Sequence, residues 1–334
     1  MYIMLRLMQK KFFLILFSTF SIFNFNSALH AQSASQNFPS KPVKLIVPFA
    51  AGGPTDVTAR ILGEGLSKIW NQPVVIDNRA GAGGSVGAAV VSKADPDGYT
   101  LLLGVTGSHA IGPALFKSLP YHPVKDFEPI SLVVQYPNAI LVNANFPPNN
   151  LQELIAYAKK SKPAMTYASD GNGTASHLTL ELLKDLGKFD MSAVQYKGAA
   201  PMLNDLMAGI VQVGITGLPT AVPLIKAKKI KLIAITTETD FSGSGFPSIA
   251  SQGFPGFAAA PWSGIFAPKG TPRAIVNKVA TDIATVMASP DVKIKLDTLG
   301  MQPLATTPEQ TARHLNEELV KWERGVKISG ATVD

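Results

Sequence analysis

Val43-Lys44-Leu45-Ile46-Val47-Pro48-Phe49 is a short apolar run of strand length, and Ala50-Ala51-Gly52-Gly53-Pro54-Thr55-Asp56 follows it without a break. From Thr55 to Trp70, apolar residues recur at Val57, Ile61, Leu62, Leu66 and Ile69, close to helical spacing. A buried strand, a glycine turn and an amphipathic helix are therefore expected in that order. The alternation continues outward. Val74 to Asp77 reads as a strand and Gly87 to Ala94 as a helix; Thr100 to Val105 reads as a strand followed by a loop; Ala139 to Val142 precedes a helical stretch from Leu151 to Lys160. Further strands are expected at Met165 to Ala168, Ala193 to Tyr196, Val211 to Ile215, Lys231 to Thr236 and Gly264 to Ala267, and the chain from Pro272 onward reads as mainly helical. Strands alternating with helices predict an α/β protein with doubly wound, largely parallel sheets.

Two places break the alternation. Between Ile130 and Val142, two apolar runs are separated only by Gln135, Tyr136, Pro137 and Asn138, too few residues for the crossover that parallel neighbours require. The chain is expected to leave one sheet there and enter another. After the Gly/Pro/Ala-rich stretch from Gly253 to Pro261, Trp262 to Pro268 brings it back. The expected division is a discontinuous first lobe of residues 39–138 and 263–334, and a second lobe of residues 139–262. Two connections of this kind permit hinge closure around a ligand.

The N-terminus has the order of a secretory leader. Arg6, Lys10 and Lys11 precede an uncharged apolar run from Phe12 to Phe23, and small residues follow at Ala28, Ala31, Ser33 and Ala34. The run is shorter than the ~20 residues of a spanning helix. A signal peptide over residues 1–31 is expected, with cleavage after Ala31 or Ser33 and export to the periplasm. The 334 residues include no cysteine, so disulfides, thiolate metal sites, a cysteine nucleophile and a lipid attachment point are all excluded. Removing the three basic residues of the leader from 30 Lys and Arg leaves 27 against 23 acids, a net of +4. No basic run with interleaved aromatics is present, and nucleic acid is not an expected partner.

In open α/β sheets, ligands sit beyond the carboxyl ends of the strands, where the first N–H groups of the next helix lack partners. The loop Ala50 to Asp56 offers two glycines and Pro54 at a helix start, which together make an anion seat. Asp56 reads either as a charge competing with an anion or as a residue stabilising the helix dipole. Arg79-Ala80-Gly81-Ala82-Gly83-Gly84-Ser85-Val86-Gly87 fails the dinucleotide pattern at Val86. It does satisfy G-x-S-x-G, which gives an exported serine hydrolase using Ser85 as an alternative. Thr106-Gly107-Ser108-His109 and Ser169-Asp170-Gly171-Asn172-Gly173-Thr174-Ala175-Ser176-His177 supply hydroxyls and glycine-flanked amides at two further strand ends. Tyr196-Lys197-Gly198, with Lys197 its cation, and Thr216-Gly217-Leu218-Pro219 complete the set. The five histidines, His30, His109, His122, His177 and His314, show no metal-binding spacing. No metal or other cofactor is expected.

Several long stretches resemble one family. They are PSKPVKLIVPFAAGGPTDVTAR from Pro39 to Arg60, NRAGAGGSVGA from Asn78 to Ala88, PDGYTLLLG from Pro96 to Gly104 and LPYHPVKDFEPISLV from Leu119 to Val133. YASDGNGTASHL from Tyr167 to Leu178, VQYKGAAP from Val194 to Pro201 and WSGIFAPKGTP from Trp262 to Pro272 extend the match. In order and nearly end to end, they are similar to the substrate-binding proteins of tripartite tricarboxylate transporters, the Bordetella uptake gene family. The resemblance implies a type II periplasmic binding protein with Venus-flytrap closure, no catalysis, a small organic acid as ligand and the membrane subunits of a tripartite transporter as partners. A monomer is expected. The family's carboxylate seat corresponds here to Ala51–Thr55 and Ser169–Ser176. The full expected ligand set is Phe49, Ala51, Gly52, Gly53, Thr55, Asp56, Gly84, Ser85, Ser108, Ser169, Asn172, Thr174, Ser176, Tyr196 and Thr216. Many relatives carry an acidic residue and an asparagine before Leu-Pro, where this chain has Thr216-Gly217; an acidic amino acid is accordingly not the expected ligand. A receptor of the same fold that signals through a membrane kinase is the remaining alternative.

Overall fold

The structure, a computed structural model, describes residues 38–332 apart from 50, 197 and 239–244. The expected leader, Ala50 and Lys197 lie outside the described residues. The first part of the chain runs β1 (Val43–Val47), α1 (Pro54–Trp70), β2 (Val74–Asn78), α2 (Ser85–Val91), β3 (Thr100–Val105), α3 (Gly112–Leu115) and β4 (Phe127–Gln135). Next come β5 (Asn138–Asn143), α4 (Leu151–Lys160), β6 (Thr166–Ser169), α5 (Ala175–Gly187), β7 (Ser192–Gln195), α6 (Ala199–Met207), β8 (Val213–Gly217), α7 (Leu218–Lys226) and β9 (Ile230–Ile235). The chain closes with β10 (Trp262–Pro268), α8 (Arg273–Ala288), α9 (Pro290–Thr298), β11 (Gln302–Pro303) and α10 (Pro308–Ser329). Two sheets form two lobes, with strand orders β11-β4-β10-β3-β1-β2 and β7-β6-β8-β5-β9.

Each sheet is mixed rather than largely parallel. β1 pairs parallel with β2 and β3, but β10 lies antiparallel between β3 and β4. In the second sheet, β6 is parallel to β7 and β8, whereas β5 runs antiparallel to β8 and β9. Two of the reversed strands, β5 and β10, enter a sheet directly from the other one, while the short β11 also pairs antiparallel with β4. Tyr136 and Pro137 alone join β4 to β5, so the chain keeps its heading and meets its new neighbours head to tail. The return segment runs alongside: Gln135 pairs with Trp262, and the Tyr136 N–H donates to Pro261 O at 3.0 Å.

Strand alternation sorts the core. In β1, Val43, Leu45 and Val47 pack on one side with α1 and α8, while Ile46 faces the other side with Leu102, Phe266 and Trp262. That second cluster continues into the other lobe through Ile140, Tyr167, Leu178 and Ile215, and α10 supplies Leu315, Trp322 and Val326 to it. Helix α10 is anchored by a buried carboxylate: Glu318 accepts from the indole N–H groups of Trp262 at 2.9 Å and Trp322 at 2.7 Å, and pairs with Lys321. A complete capping box at Thr307 and Gln310 starts this helix. The segment after β3, read as a loop, is helical instead: a wide π turn over Gly107–Ile111 leads directly into α3. Two glycines within six residues lower helix propensity and hide it in the sequence. Among the described residues no helix is long and apolar enough to cross a membrane.

Packing between α1 and α8 gives a sharp test. Alanine at Gly65 favours an isolated helix by roughly 1 kcal/mol, yet a Cβ there would lie 2.5 Å from Val286 Cγ1 and 2.8 Å from Cγ2. Valine is stiff at χ1 and cannot swing clear. Gly65→Ala should therefore lower unfolding free energy by about 1–3 kcal/mol in urea titration; a stabilised variant would show that this interface yields.

Candidate ligand site between the lobes

The strand directions place the two sets of loops opposite each other. β3 and β4 both oppose β10 and so point the same way, which puts the carboxyl ends of β1, β3 and β4 at the crossing. In the second sheet β5 starts at the crossing and opposes β8, so β8 and its parallel neighbour β6 end there. The loops after Val47, Val105, Ser169 and Gly217 thus all open toward the junction between lobes. At one margin the sides touch: a Cβ at Gly173 would fall 2.5 Å from Leu115 of α3.

On the first lobe, Asp56 organises the loop after β1. It is buried, and its carboxylate accepts from Gly52 N–H at 2.9 Å, Arg60 Nε at 2.8 Å and Asn78 Nδ2 at 3.0 Å. Asn78 Nδ2 also donates to Phe49 O at 2.9 Å. Hydrogen bonding from Arg60 is the main cause that holds the Asp56 carboxyl down at about 2, against the opposing effect of burial. Its charge is thereby spent inside the loop. Thr55 is buried at the first turn, whereas Ala51 and Gly52 are exposed and Gly53 half-buried. Gly84 (φ 99°) lets the second loop close in: a Cβ there would come within 3.3 Å of Pro48 and 3.4 Å of Ser108. Tyr121 OH donates to Ser108 O at 2.7 Å, and Ser85 Oγ lies 3.1 Å from the same phenol oxygen. Burial pushes the Tyr121 phenol up to about 12. The Ser108 hydroxyl lies 2.8 Å from His109 Nδ1. None of these bonds joins Ser85 to a histidine, the base that a nucleophile reading needs.

On the second lobe, Asp170 plays the corresponding part. It accepts from Thr174 Oγ1 at 3.0 Å, from Thr216 Oγ1 at 2.9 Å and from Ser176 Oγ, tying three of the expected residues into one cluster. The Asp170 carbonyl takes Gly198 N–H at 3.0 Å. Tyr136, in the connection itself, is close enough that the Asp170 charge adds to burial in raising its phenol to about 12. Ser169 turns to Gln195 and to Gly171, with 3.2 Å to the Gly171 carbonyl. Two expected residues face other neighbours: Asn172 is exposed and donates to Thr332 O at 3.1 Å, and Tyr196 OH donates to Asp205 at 2.6 Å.

Side chains therefore mostly hold the loops, and the backbone faces the gap. Helices α1, α2, α6 and α7 begin on Gly53, Gly84, Gly198 and Gly217 without a side-chain cap. Gly84 N–H is taken by Gly81 O at 2.9 Å, Gly198 N–H by Asp170 O at 3.0 Å and Leu218 N–H by Pro137 O at 2.8 Å, so the donors open to a guest are the remaining first-turn N–H groups. Positions for a Cβ at Gly52, Gly83 and Gly198 have no atom within 4 Å, so these tips border open space. The guanidinium groups beside the first-lobe loops are already paired, Arg60 with Asp56 and Arg79 with Asp77. An anion held here meets amides and hydroxyls, which favour a delocalised carboxylate. Among the described residues no cluster of three or more acidic or histidine side chains could hold a metal. Asp170, Tyr121 and Tyr136 were not singled out from sequence; the signal for Asp170 was its position as the one acid within a loop rich in hydroxyls.

The family model described as the tripartite tricarboxylate transporter family receptor matches residues 58–330. BugT of Bordetella pertussis is 32% identical over 318 residues, spanning 95% of this chain and 98% of that protein. Among solved structures, a protein of R. palustris with adipate superposes with a TM-score of 0.78 at 36% identity, covering 88% of this chain and 99% of its own. MatC from Rhodopseudomonas palustris with bound malate gives 0.72 at 36% identity, with 86% and 100% covered.

Buried titratable groups set the pH response of this region. His109 is fully buried and stacks on Phe266 with ring centroids 4.2 Å apart, and burial pushes its imidazole down to about 3. Burial lowers His177 and His314 in the same direction. The unfolded chain takes up these protons near 6.5 and the native chain does not, so stability falls as pH falls below 6.5. Asp56 adds a second loss as pH falls from 3.8 toward 2. Urea midpoints measured from pH 7 to pH 4 should decline, and His109→Phe should flatten that decline; an unchanged slope in the variant would show that His109 is protonated in the native state.

Proposed function

The chain belongs to the tripartite tricarboxylate transporter receptor family, and from that membership we propose that it captures a small organic carboxylate between its lobes and hands it to the transporter's membrane subunits. The supporting observation is the set of four helix starts capped only by glycine, aimed into the junction from both sheets. One carboxylate group meets the Gly53 amide at the start of α1, and the opposite end of the guest meets the hydroxyls gathered by Asp170. Relatives solved with adipate and with malate support a dicarboxylate guest of short or medium chain.

In this reading, residues 1–31 direct export to the periplasm and are removed. Residues 39–138 and 263–334 move as one lobe and 139–262 as the other, pivoting at Tyr136-Pro137 and Pro261. The receptor acts as a non-catalytic monomer. Its ligand contacts come from the loop residues named above, with Asp56 and Asn172 holding loops in place. The resemblance puts Thr216 where many relatives carry an acid, and its hydroxyl is already engaged by Asp170, which supports an organic acid over an acidic amino acid.

A thermal-shift panel of dicarboxylates, tricarboxylates, aromatic acids and acidic amino acids tests the proposal. At a hundredfold excess over Kd, a true ligand adds about 2.7 kcal/mol to stability, and at least one dicarboxylate should reach that range. A panel with no stabilising acid would contradict the reading. Ser85→Ala should weaken the winning acid by up to about tenfold through one lost hydroxyl bond. The exported-hydrolase alternative instead demands ester turnover that this substitution abolishes.

A further inference from the structure

The end of the second lobe opposite the junction carries charge that ligand capture does not use. β5 ends there, β6, β8 and β9 begin there, and α4 and α7 deliver their last turns to it. The contacts knit this end together. Lys231 Nζ donates to Asn149 at 2.8 Å, Asn143 Nδ2 donates to Leu206 O at 2.9 Å and Met207 O at 3.0 Å, and Phe146 meets Tyr157 edge to face with ring centroids 5.1 Å apart. A shallow cavity of about 680 Å³ lies between Phe146, Tyr157, the turn 160–166 and Gln212. Lys160 and Lys162 line it. Lys159, at the end of α4, shares this end of the lobe with Lys226, the last residue of α7, and with Lys228 and Lys229, between α7 and β9; all six are exposed. No ion pair joins any of these six to a described residue. The nearby Asp190, at the β7 side, is paired with Lys184 at 3.4 Å. Ile210 is 66% exposed and Tyr157 41% exposed on the same end.

From this arrangement we infer that the distal end of the second lobe docks reversibly on an anionic phospholipid surface. Unpaired cations beside an exposed aliphatic and an exposed tyrosine match an interfacial lipid-binding face, on which lysine stems snorkel and apolar tips enter the headgroup layer. The choice of cation separates a lipid partner from a protein one. Residues 80–272 contain no arginine, whereas protein interfaces are enriched in arginine and depleted of lysine. Compact ammonium charges on flexible stems suit a diffuse layer of phosphates that demands no fixed geometry. A chain without cysteine has no thioether-linked lipid to hold it, and such a face would concentrate it at the bilayer. Because the ligand loops lie at the other end of the same sheet, docking leaves them uncovered.

Sedimentation with large vesicles of phosphatidylethanolamine and phosphatidylglycerol tests this, with phosphatidylcholine vesicles as control. The protein should pellet with the anionic vesicles only, and high salt should release it. At about fivefold per lysine, the triple variants K159S/K160S/K162S and K226S/K228S/K229S should each lose roughly a hundredfold in partitioning. K93S/K293S, which removes two exposed lysines elsewhere, should match the parent protein. These proteins are identical at the N-terminus, so any contribution from it cancels. No binding to anionic vesicles, or equal losses in the control variant, would overturn the inference. So would binding only to vesicles that contain the transporter's membrane subunits, which would assign the face to a protein. Thermal shift with the carboxylate panel on the same variants should be unchanged; failure of that panel with vesicle binding intact would sink the ligand reading alone.

Discussion

Everything in this molecule follows from the two-residue passage of the chain from β4 to β5. Tyr136 and Pro137 are too few to turn the chain round, so β5 continues in the direction of β4 and enters a sheet whose other central strands run against it. The carboxyl ends of β6 and β8 are thereby forced to face those of β1 and β3. A longer linker would leave the relative heading of the sheets free. The return at Trp262 is hydrogen-bonded beside the outgoing segment, so the two connections between the sheets run side by side. Helix α10 packs on both lobes through Trp322 and Leu315, so bending is restrained at the rear as well.

Once the loops face each other, their chemistry is set by how acids are used. Asp56 and Asp170 occupy corresponding positions, one per lobe, and each is consumed in gathering donors from its own loop and from a neighbouring strand, Asn78 for Asp56 and Thr216 for Asp170. In each case a glycine-bearing segment is fixed by a carboxylate that is itself satisfied. Recognition that rests on amides and hydroxyls tolerates changes in side chains around it. That arrangement suits a family whose members are found with both adipate and malate.

The strand and helix succession was legible because buried strands such as Val43–Val47 and one-sided helices such as Pro54–Trp70 carry their periodicity openly. The crossing near Tyr136 was legible for a different reason, chain length alone. Strand direction in the sheets was not: reversal of β10 and β5 depends on what a strand meets after it crosses, which no local pattern encodes. The helical segment after Val105 was hidden by Gly107 and Gly112. At the site, glycine loops announced themselves, but the partners of polar side chains did not. Asn172, expected as a ligand donor, also donates to the Thr332 carbonyl, and Asp170, not singled out, binds Thr174, Ser176 and Thr216. Hydrogen-bond partners far apart in sequence are fixed by tertiary packing, and composition does not reveal them.

Convergence of the two loop sets on a shared guest is the central claim, and the absence of native cysteine makes it directly measurable. Spin labels at Gly83→Cys and Gly198→Cys would stand on opposite tips, each in open space. Their separation, read by pulsed electron resonance with and without the most tightly bound acid, should shorten and narrow on binding. A distribution that stays the same at saturating ligand would mean that the acid sits elsewhere and that these tips do not close on it.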